Sequence, residues 1–252
     1  MQTVYEDGPK RDLRLWIGDL YLEALANSYS FKNHDLTKRC LYLLASLADS
    51  TGWVSATVYE RPEWQIQGKG THCMDYSLLY GVALADYVKY SGDTATGRDL
   101  WPVVKRQVEV AREALDPAGI YDNALKPSWL VFDWKSDLNR DASIQGLMTF
   151  AVDRSYELAR MLGTEKEVSD WPKLTARMKS AARNAYYDRK SGLVLSGPDK
   201  QASYLSQVWM VLSGTLSAKE GARALSAIME CPDACRIGSP YAYHYFIEAL
   251  IQ

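Results

Sequence analysis

Apolar residues recur at helical spacing along most of the chain, and no other feature of the sequence constrains the fold as strongly. One such segment, 142–162, places Ile144 and Leu147 on a single apolar face. Gly163 follows where a helix C-cap belongs, because glycine adopts the left-handed conformation of that cap without strain. The pattern predicts an all-α protein.

The helical spacing recurs in about nine segments that are long enough to be helices of a globular protein. They cover residues 19–31, 35–49, 75–91, 95–115, 141–162, 165–187, 200–213, 217–229 and 240–252. Short β-like pieces within the loops are predicted at 53–59 and 128–132. The 252 residues suffice for one large domain or two small ones. The sequence shows no boundary, so we predict a single domain over residues 1–252.

Short and long connections alternate between the predicted helices. Short turns join the helices in pairs, at 31–35, 91–94, 163–165 and 213–217. Connections this short favour antiparallel helical hairpins. Longer segments rich in Gly, Pro and aromatic residues separate the pairs, at 51–71, 117–140, 189–200 and 231–239. The alternation predicts hairpins arranged in a ring or stack with the long loops on one face, and the absence of a fixed sequence period disfavours a regular solenoid.

The net charge argues against two classes of binding partner. The formal net charge is −2, so the chain lacks the basic excess typical of proteins that bind nucleic acid or anionic membranes. No apolar run approaches the length of a membrane span, and the sequence as written predicts no signal peptide, with the alternative that one was lost with the N-terminus. The sequence as written therefore predicts a cytoplasmic protein with no nucleic-acid or membrane partner.

Cysteine and histidine usage predicts neither a metal site nor a cofactor. The chain has four cysteines, too few for a disulfide scaffold, and its three histidines do not cluster with them. Cys231 and Cys235 are close enough in sequence to bridge in an oxidising compartment, although two free thiols are favoured.

Aromatic usage points to a class of ligand. The chain has 8 Trp and 17 Tyr against 4 Phe. Trp and Tyr combine a flat apolar face with a polar edge, which suits amphipathic ligands such as sugars. The alternative is that most of these rings belong to the core and to the seams between helices.

The opening segment, 6–19, is the densest concentration of charge. It holds four carboxylates, three cationic side chains and one tryptophan, and Gly8-Pro9 makes its first half a shaped loop. Such a loop is costly to desolvate unless its charges pair or meet a polar ligand. It therefore predicts either an active site, with one carboxyl protonated and its neighbours ionised, or a solvated, salt-bridged arm.

Four motifs, in the same order along the chain, resemble those of bacterial α-L-rhamnosidases of glycoside hydrolase family 78. The first runs from Asp7 to Asp12 and continues as Trp16-Ile17-Gly18-Asp19, which resembles the active-site signature of that family. The others are Asp75-Tyr76, Phe132-Asp133-Trp134, and Ser239-Pro240-Tyr241 followed by His244-Tyr245. The resemblance covers nearly the whole chain and implies an (α/α)6 six-hairpin toroid, here incomplete.

The resemblance also implies a reaction and a set of roles. The family hydrolyses terminal α-L-rhamnosides with inversion, and inverting enzymes hold the general acid and the general base about 6.5–9.5 Å apart. The implied general acid is Asp12, with Asp7 and Asp19 beside it at the catalytic centre. The implied substrate-binding residues are Arg11, Trp16, Asp75, Asp133 and Trp134. The expected partner is a carbohydrate substrate, a rhamnoside.

The sequence departs from the family pattern in three ways. The family acid is usually Glu, whereas Asp12 is one methylene shorter, and the residues between Asp12 and Trp16 lack a glycine and are one fewer. The family's general base lies in a segment beyond the His-Tyr helix, and this sequence ends before it. We therefore expect a chain truncated at both ends, with the remaining parts of a longer polypeptide as partners.

Alternatives stay open at the level of function and of single residues. A non-catalytic or vestigial carbohydrate-binding toroid would keep the pocket and lack turnover, and a helical scaffold that binds protein would lack the carboxylate cluster. Asp19 and Asp75 are also candidate N-caps of the first and third helices, and Asp133 is also a candidate turn residue.

Overall fold

The computed structural model describes residues 3–8, 13–59, 63, 65–66 and 70–252. The chain divides into two compact units, the first formed by residues 1–113 and 154–169 and the second by residues 114–153 and 170–252. Within the described ranges, no helix combines the length and the apolar character that crossing a lipid bilayer requires.

Helices dominate both units, and the described residues confirm each of the nine predicted helices. In chain order α1 to α9 they are Ile17–Tyr29, His34–Ser46, Met74–Ser91, Thr94–Glu113, Asp141–Leu162, Trp171–Tyr186, Tyr204–Leu212, Ala218–Glu230 and Pro240–Ile251. Helices α1 to α4 belong to the first unit and α6 to α9 to the second, while α5 contributes a part to each.

Some predicted boundaries were wrong, for local reasons. The predicted helix 165–187 begins as a separate 3-10 turn, Glu165–Val168, and α6 starts only at Trp171. Pro172 lies in the first turn of α6, where proline starts a helix well but cannot continue one from upstream. The predicted helix 200–213 begins four residues late because Gln201–Ala202 pairs as a strand.

Two small antiparallel ribbons accompany the helices. Strand β1, Arg14–Trp16, pairs with β2, Thr57–Tyr59, and Leu195–Ser196 pairs as β3 with Gln201–Ala202 as β4. The β-like piece at 53–59 is thus confirmed in its second half. The piece at 128–132 forms no strand.

In the first unit, α3 is the central helix. Fourteen of its eighteen residues are buried, and it packs against α1, α2 and α4. A helix that is apolar nearly all round is stable only when neighbours cover it on several sides. The N-terminus of α1 is anchored by its backbone, because Ile17 N donates a hydrogen bond of 3.0 Å to Ala56 O in the segment before β2.

In the second unit, the core forms around Trp209 on α7, which is 1% exposed. Its ring centroid lies 6.0 Å from that of Phe132, 5.9 Å from that of Phe150 on α5 and 4.6 Å from that of Tyr245 on α9. Gly146 lets α5 approach the backbone of this residue closely. A Cβ atom on Gly146 would lie 2.7 Å from the carbonyl carbon and oxygen of Trp209.

Gly146→Ala is expected to lower the free energy of unfolding by about 1–3 kcal/mol. The clash is with backbone, which cannot rotate away, so it outweighs the gain of about 1 kcal/mol in helix propensity. Gly221→Ala on α8 is the matched control, because its Cβ would lie 3.1 Å from a methyl group of Val211, which can shift. Urea unfolding measures both, and a Gly146→Ala variant no less stable than Gly221→Ala would contradict the close approach.

Candidate functional site

The first turns of α1 and α3 meet in the first unit. Gly18 makes this contact possible, since a Cβ at that position would overlap the ring of Tyr76. Trp16, the residue that caps α1, lies edge-on to the same ring with the centroids 6.1 Å apart. The Trp-Ile-Gly-Asp motif and the Asp-Tyr motif of the sequence therefore lie side by side.

Each of the two helix N-termini at this contact carries a carboxylate. Asp19 lies in the first turn of α1 and Asp75 in the first turn of α3, where the unsatisfied backbone N–H groups and the helix dipole favour negative charge. Neither is an N-cap, which corrects that alternative: the caps are Trp16 and Cys73, because each helix begins before its aspartate. Asp75 is 1% exposed.

Asp7 is fixed next to β1. Its backbone N–H donates a hydrogen bond of 3.0 Å to Arg14 O, so the ribbon of β1 and β2 extends by one antiparallel bridge to Asp7. The intervening residues 9–12 fall outside the described residues. The two predictions on that segment, Asp12 as general acid and Arg11 as a sugar-orienting cation, therefore stay predictions.

Two hydrogen-bond donors lie in the same region. The indole Nε1 of Trp16 and the Nε of Arg14 are buried and have no acceptor among the residues that the structure describes. The Arg14 guanidinium lies over the ring of Tyr59, 4.3 Å from its centroid, which holds the cation beside β2. Unsatisfied buried donors are costly, so this region offers hydrogen bonds to a ligand or water.

Glu23 is a member of the acidic group that the sequence reasoning missed. It lies one turn after Asp19 on α1, on the same face of the helix. Burial, followed by the charges of Asp19, Asp7 and Glu6, raises the pKa of Glu23 to about 7. The i,i+4 spacing from Asp19 on a predicted helix was the signal that could have found it.

The Asp133-Trp134 motif lies in the second unit. Asp133 is buried, and its two carboxylate oxygens each accept a backbone N–H at 2.7 Å, one from Trp134 and one from Gly238. Each oxygen keeps a further lone pair for a hydroxyl donor. The Trp134 side chain is 76% exposed, and the preceding Phe132 has a φ of 50°, a conformation that costs energy outside glycine.

The structure thus groups four of the predicted site residues in the first unit: Asp7, Trp16, Asp19 and Asp75. It places Asp133 and Trp134 together in the second. In the described part of the chain, no three His, Cys, Asp or Glu side chains are arranged to hold a metal ion. All four cysteines are free thiols, as the sequence favoured.

Comparison with known proteins identifies relatives over the whole length. The family model described as the bacterial alpha-L-rhamnosidase 6 hairpin glycosidase domain matches residues 1–251. A rhamnosidase from Klebsiella oxytoca, solved with rhamnose bound, is 38% identical with a TM-score of 0.93, and the match covers 100% of this chain and 48% of that one.

Two further relatives are more distant. The GH78 rhamnosidase of Bacillus sp. GL1 is 21% identical with a TM-score of 0.81, over 94% of this chain and 25% of that chain. An N,N'-diacetylchitobiose phosphorylase from Vibrio proteolyticus is 23% identical over 220 residues, which are 75% of this chain and 26% of the phosphorylase. The chain therefore spans half or less of the length of these relatives. The predicted six-hairpin fold class is confirmed, and the chain belongs to the bacterial α-L-rhamnosidase six-hairpin glycosidase domain family.

Proposed function

We propose that this chain supplies the sugar-binding carboxylates and the general acid of an α-L-rhamnosidase, and that the whole protein hydrolyses terminal α-L-rhamnosides with inversion. The observation that carries the proposal is the meeting of the Trp-Ile-Gly-Asp and Asp-Tyr motifs at two helix N-termini. Membership of the rhamnosidase domain family supports it, as does the Klebsiella rhamnosidase, which holds rhamnose.

The described carboxylates suit a polyhydroxylated ligand. Ionised Asp7 and Asp19 accept hydrogen bonds from sugar hydroxyls, and such charge-assisted bonds are stronger than neutral ones. The indole of Trp16 offers an apolar wall to the C–H face of a deoxyhexose and an N–H donor at its edge. Donors and acceptors in one region are what a sugar with several vicinal hydroxyls requires.

Asp12 is the general acid of the proposed mechanism. A general acid that works near neutral pH needs a raised pKa, and in the proposed mechanism the negative charges of Asp7 and Asp19, which belong to the same sequence motif, push in that direction. It donates its proton to the glycosidic oxygen as the bond to the anomeric carbon breaks. Water, activated by a general base on the opposite face of the sugar, then completes inversion.

The second unit offers a proposed sugar contact of its own, the exposed indole of Trp134. It offers the same stacking surface as Trp16, on a loop that Asp133 fixes through two backbone hydrogen bonds. Asp75 is the proposed hydroxyl acceptor in the first unit, and Asp133 is the proposed hydroxyl acceptor beside Trp134 in the second.

Asp19→Asn is expected to weaken L-rhamnose binding about 10- to 50-fold, because it replaces a charge-assisted acceptor by a neutral amide. Isothermal titration calorimetry of the purified chain measures this. Asp35→Asn is the matched control, since Asp35 is an exposed aspartate in the first turn of α2 in the same unit. Equal affinity in the wild type and in Asp19→Asn would remove Asp19 from the sugar site.

A further inference from the structure

Glu23 occupies a distinctive position behind the proposed sugar-binding carboxylates. It follows Asp19 by one helical turn, so the two side chains project from the same face of α1. Its Oε2 atom is buried and has no hydrogen-bond partner among the described residues. A carboxylate in that environment is poorly solvated, whereas a protonated carboxyl is tolerated.

The charges around Glu23 add to this effect. Asp19 acts on it from the same helix, and Asp7 and Glu6 act on it from the N-terminal segment, all with negative charge. On its other flank, Glu23 is close enough to the Tyr5 phenol and to the Cys40 thiol of α2 to raise the pKa of both.

Among the described residues, Arg39 acts as a cation on Cys40 and lowers the pKa of its thiol. Its effect falls on the thiol, where burial outweighs it and leaves the pKa of Cys40 raised to about 12. After burial, the largest effects on Glu23 come from the charges of Asp19, Asp7 and Glu6, and all three favour its protonated form.

Glu23 has a route to solvent for its proton. It lines a cavity of about 350 Å³ whose wall also includes Tyr5, Asn27 and Phe31. Phe31 is 89% exposed, so the cavity reaches the protein surface. Among the described residues that line the cavity, Glu23 and Tyr5 carry the titratable side chains, so water in the cavity can reach the Glu23 carboxyl.

We propose that Glu23 is a positioning residue that takes up a proton when a polyhydroxylated sugar binds at Asp7 and Asp19, which lets those two carboxylates stay ionised in the complex. The inference rests on the proposed function of that site. A bound sugar displaces water and lowers the local dielectric, so repulsion between nearby carboxylates increases. Protonation of Glu23 removes one of the repelling charges without removing an acceptor that the sugar needs.

The sign of the pH dependence follows from linkage. Because the folded pKa of Glu23 is near 7 and the unfolded value near 4.5, its contribution to stability is complete below about pH 4.5 and is lost as pH rises through 7. Sugar binding follows the same direction: it favours the protonated form, so affinity falls as pH rises above 7.

The first test needs no sugar. Urea unfolding of the wild type, Glu23→Gln and the control Glu230→Gln is compared at pH 5 and pH 8. Glutamine mimics the protonated carboxyl, so the unfolding midpoint of Glu23→Gln should fall less between these two pH values than that of the wild type. Glu230 is exposed at the end of α8, so its variant should behave as the wild type does. If the unfolding midpoint fell equally in all three proteins, the conclusion that Glu23 holds a proton in the folded protein would be wrong.

The second test measures the coupling. Calorimetric titration of the wild type with L-rhamnose at pH 7, in two buffers of different ionisation enthalpy, should reveal uptake of a fraction of one proton. Affinity should be about three- to tenfold weaker at pH 8 than at pH 6. Glu23→Gln should take up no proton and should bind at pH 8 as tightly as at pH 6.

The outcomes separate the two proposals. Sugar binding with no proton uptake in the wild type overturns the role of Glu23 and leaves the proposed function intact. No binding of L-rhamnose at any pH overturns the proposed function and, with it, the coupling. In that case the unfolding experiment still decides whether Glu23 holds a proton, so the failure is assigned to the sugar site.

Discussion

Asp12→Asn is expected to slow hydrolysis of an aryl α-L-rhamnoside by about 10²- to 10⁴-fold, the range typical of losing a general acid. Asparagine keeps the size of the side chain but has no proton to donate to the departing oxygen. L-rhamnose binding should stay within about threefold of wild type, because the hydroxyl acceptors in the proposed mechanism are Asp7 and Asp19. The measurement is release of the aryl alcohol by the full polypeptide, with the wild type and the variant compared at the same pH.

The leaving group provides a stringent control for this prediction. A dinitrophenyl rhamnoside leaves without full protonation, so Asp12→Asn should lose less activity on it than on a phenyl rhamnoside. Asp12→Glu restores the carboxylic acid that the family usually carries and should retain much of the activity. Equal losses on both leaving groups would exclude Asp12 as the acid. A wild type that binds L-rhamnose but releases no product would instead favour the non-catalytic, carbohydrate-binding alternative.

Asp133→Asn is expected to lower the free energy of unfolding by about 2–4 kcal/mol, because it removes one of two buried charge-assisted hydrogen bonds and leaves a buried backbone donor facing an NH₂ group. Both carboxylate oxygens accept backbone N–H groups, from Trp134 and from Gly238. An asparagine offers one oxygen, so its NH₂ group must face the other backbone donor. The loop would shift and carry the indole of Trp134 with it, so L-rhamnose binding should weaken as well.

Asp137→Asn is the matched control for that variant. Asp137 lies four residues further along the same loop, and its exposed carboxylate pairs with Lys135 at 3.3 Å. Exposed pairs of this kind contribute about 0–1 kcal/mol, so the control should unfold close to the wild-type urea concentration. If the two variants were equally stable, the buried hydrogen bonds of Asp133 would not hold the loop.

The helices were predictable because their signal is local. Apolar spacing in segments such as 142–162 reports the buried face of a helix whatever it packs against, and Gly163 ends that helix with a φ of 72°, as a C-cap glycine does. The errors fell at the ends, where tertiary pairing competes with helix formation. Gln201–Ala202 pairs with Leu195–Ser196, and this pairing delays the start of α7.

The candidate site was predictable in its residues but not in its geometry. Motif order pointed to Asp19 and Asp75, yet both also had an interpretation as helix caps until Trp16 and Cys73 were seen in those positions. Glu23 belongs to none of the four rhamnosidase-like sequence motifs. Its significance depends on burial and on charges contributed by other segments, neither of which its own neighbours in sequence reveal.

The order of chemical groups along the chain is therefore a property of the sequence alone: nine amphipathic stretches, the connections between them, and four short motifs that mark a rhamnosidase-type domain. Only the tertiary structure decided which groups share an environment. Gly18 meets Tyr76, 58 positions further along the chain, and Asp133 holds the backbone of a residue 105 positions away. The apolar spacing that predicts a helix depends on residues within a few positions of one another. The ionisation and the position of a site's side chains depend instead on the distant segments that exclude water from them.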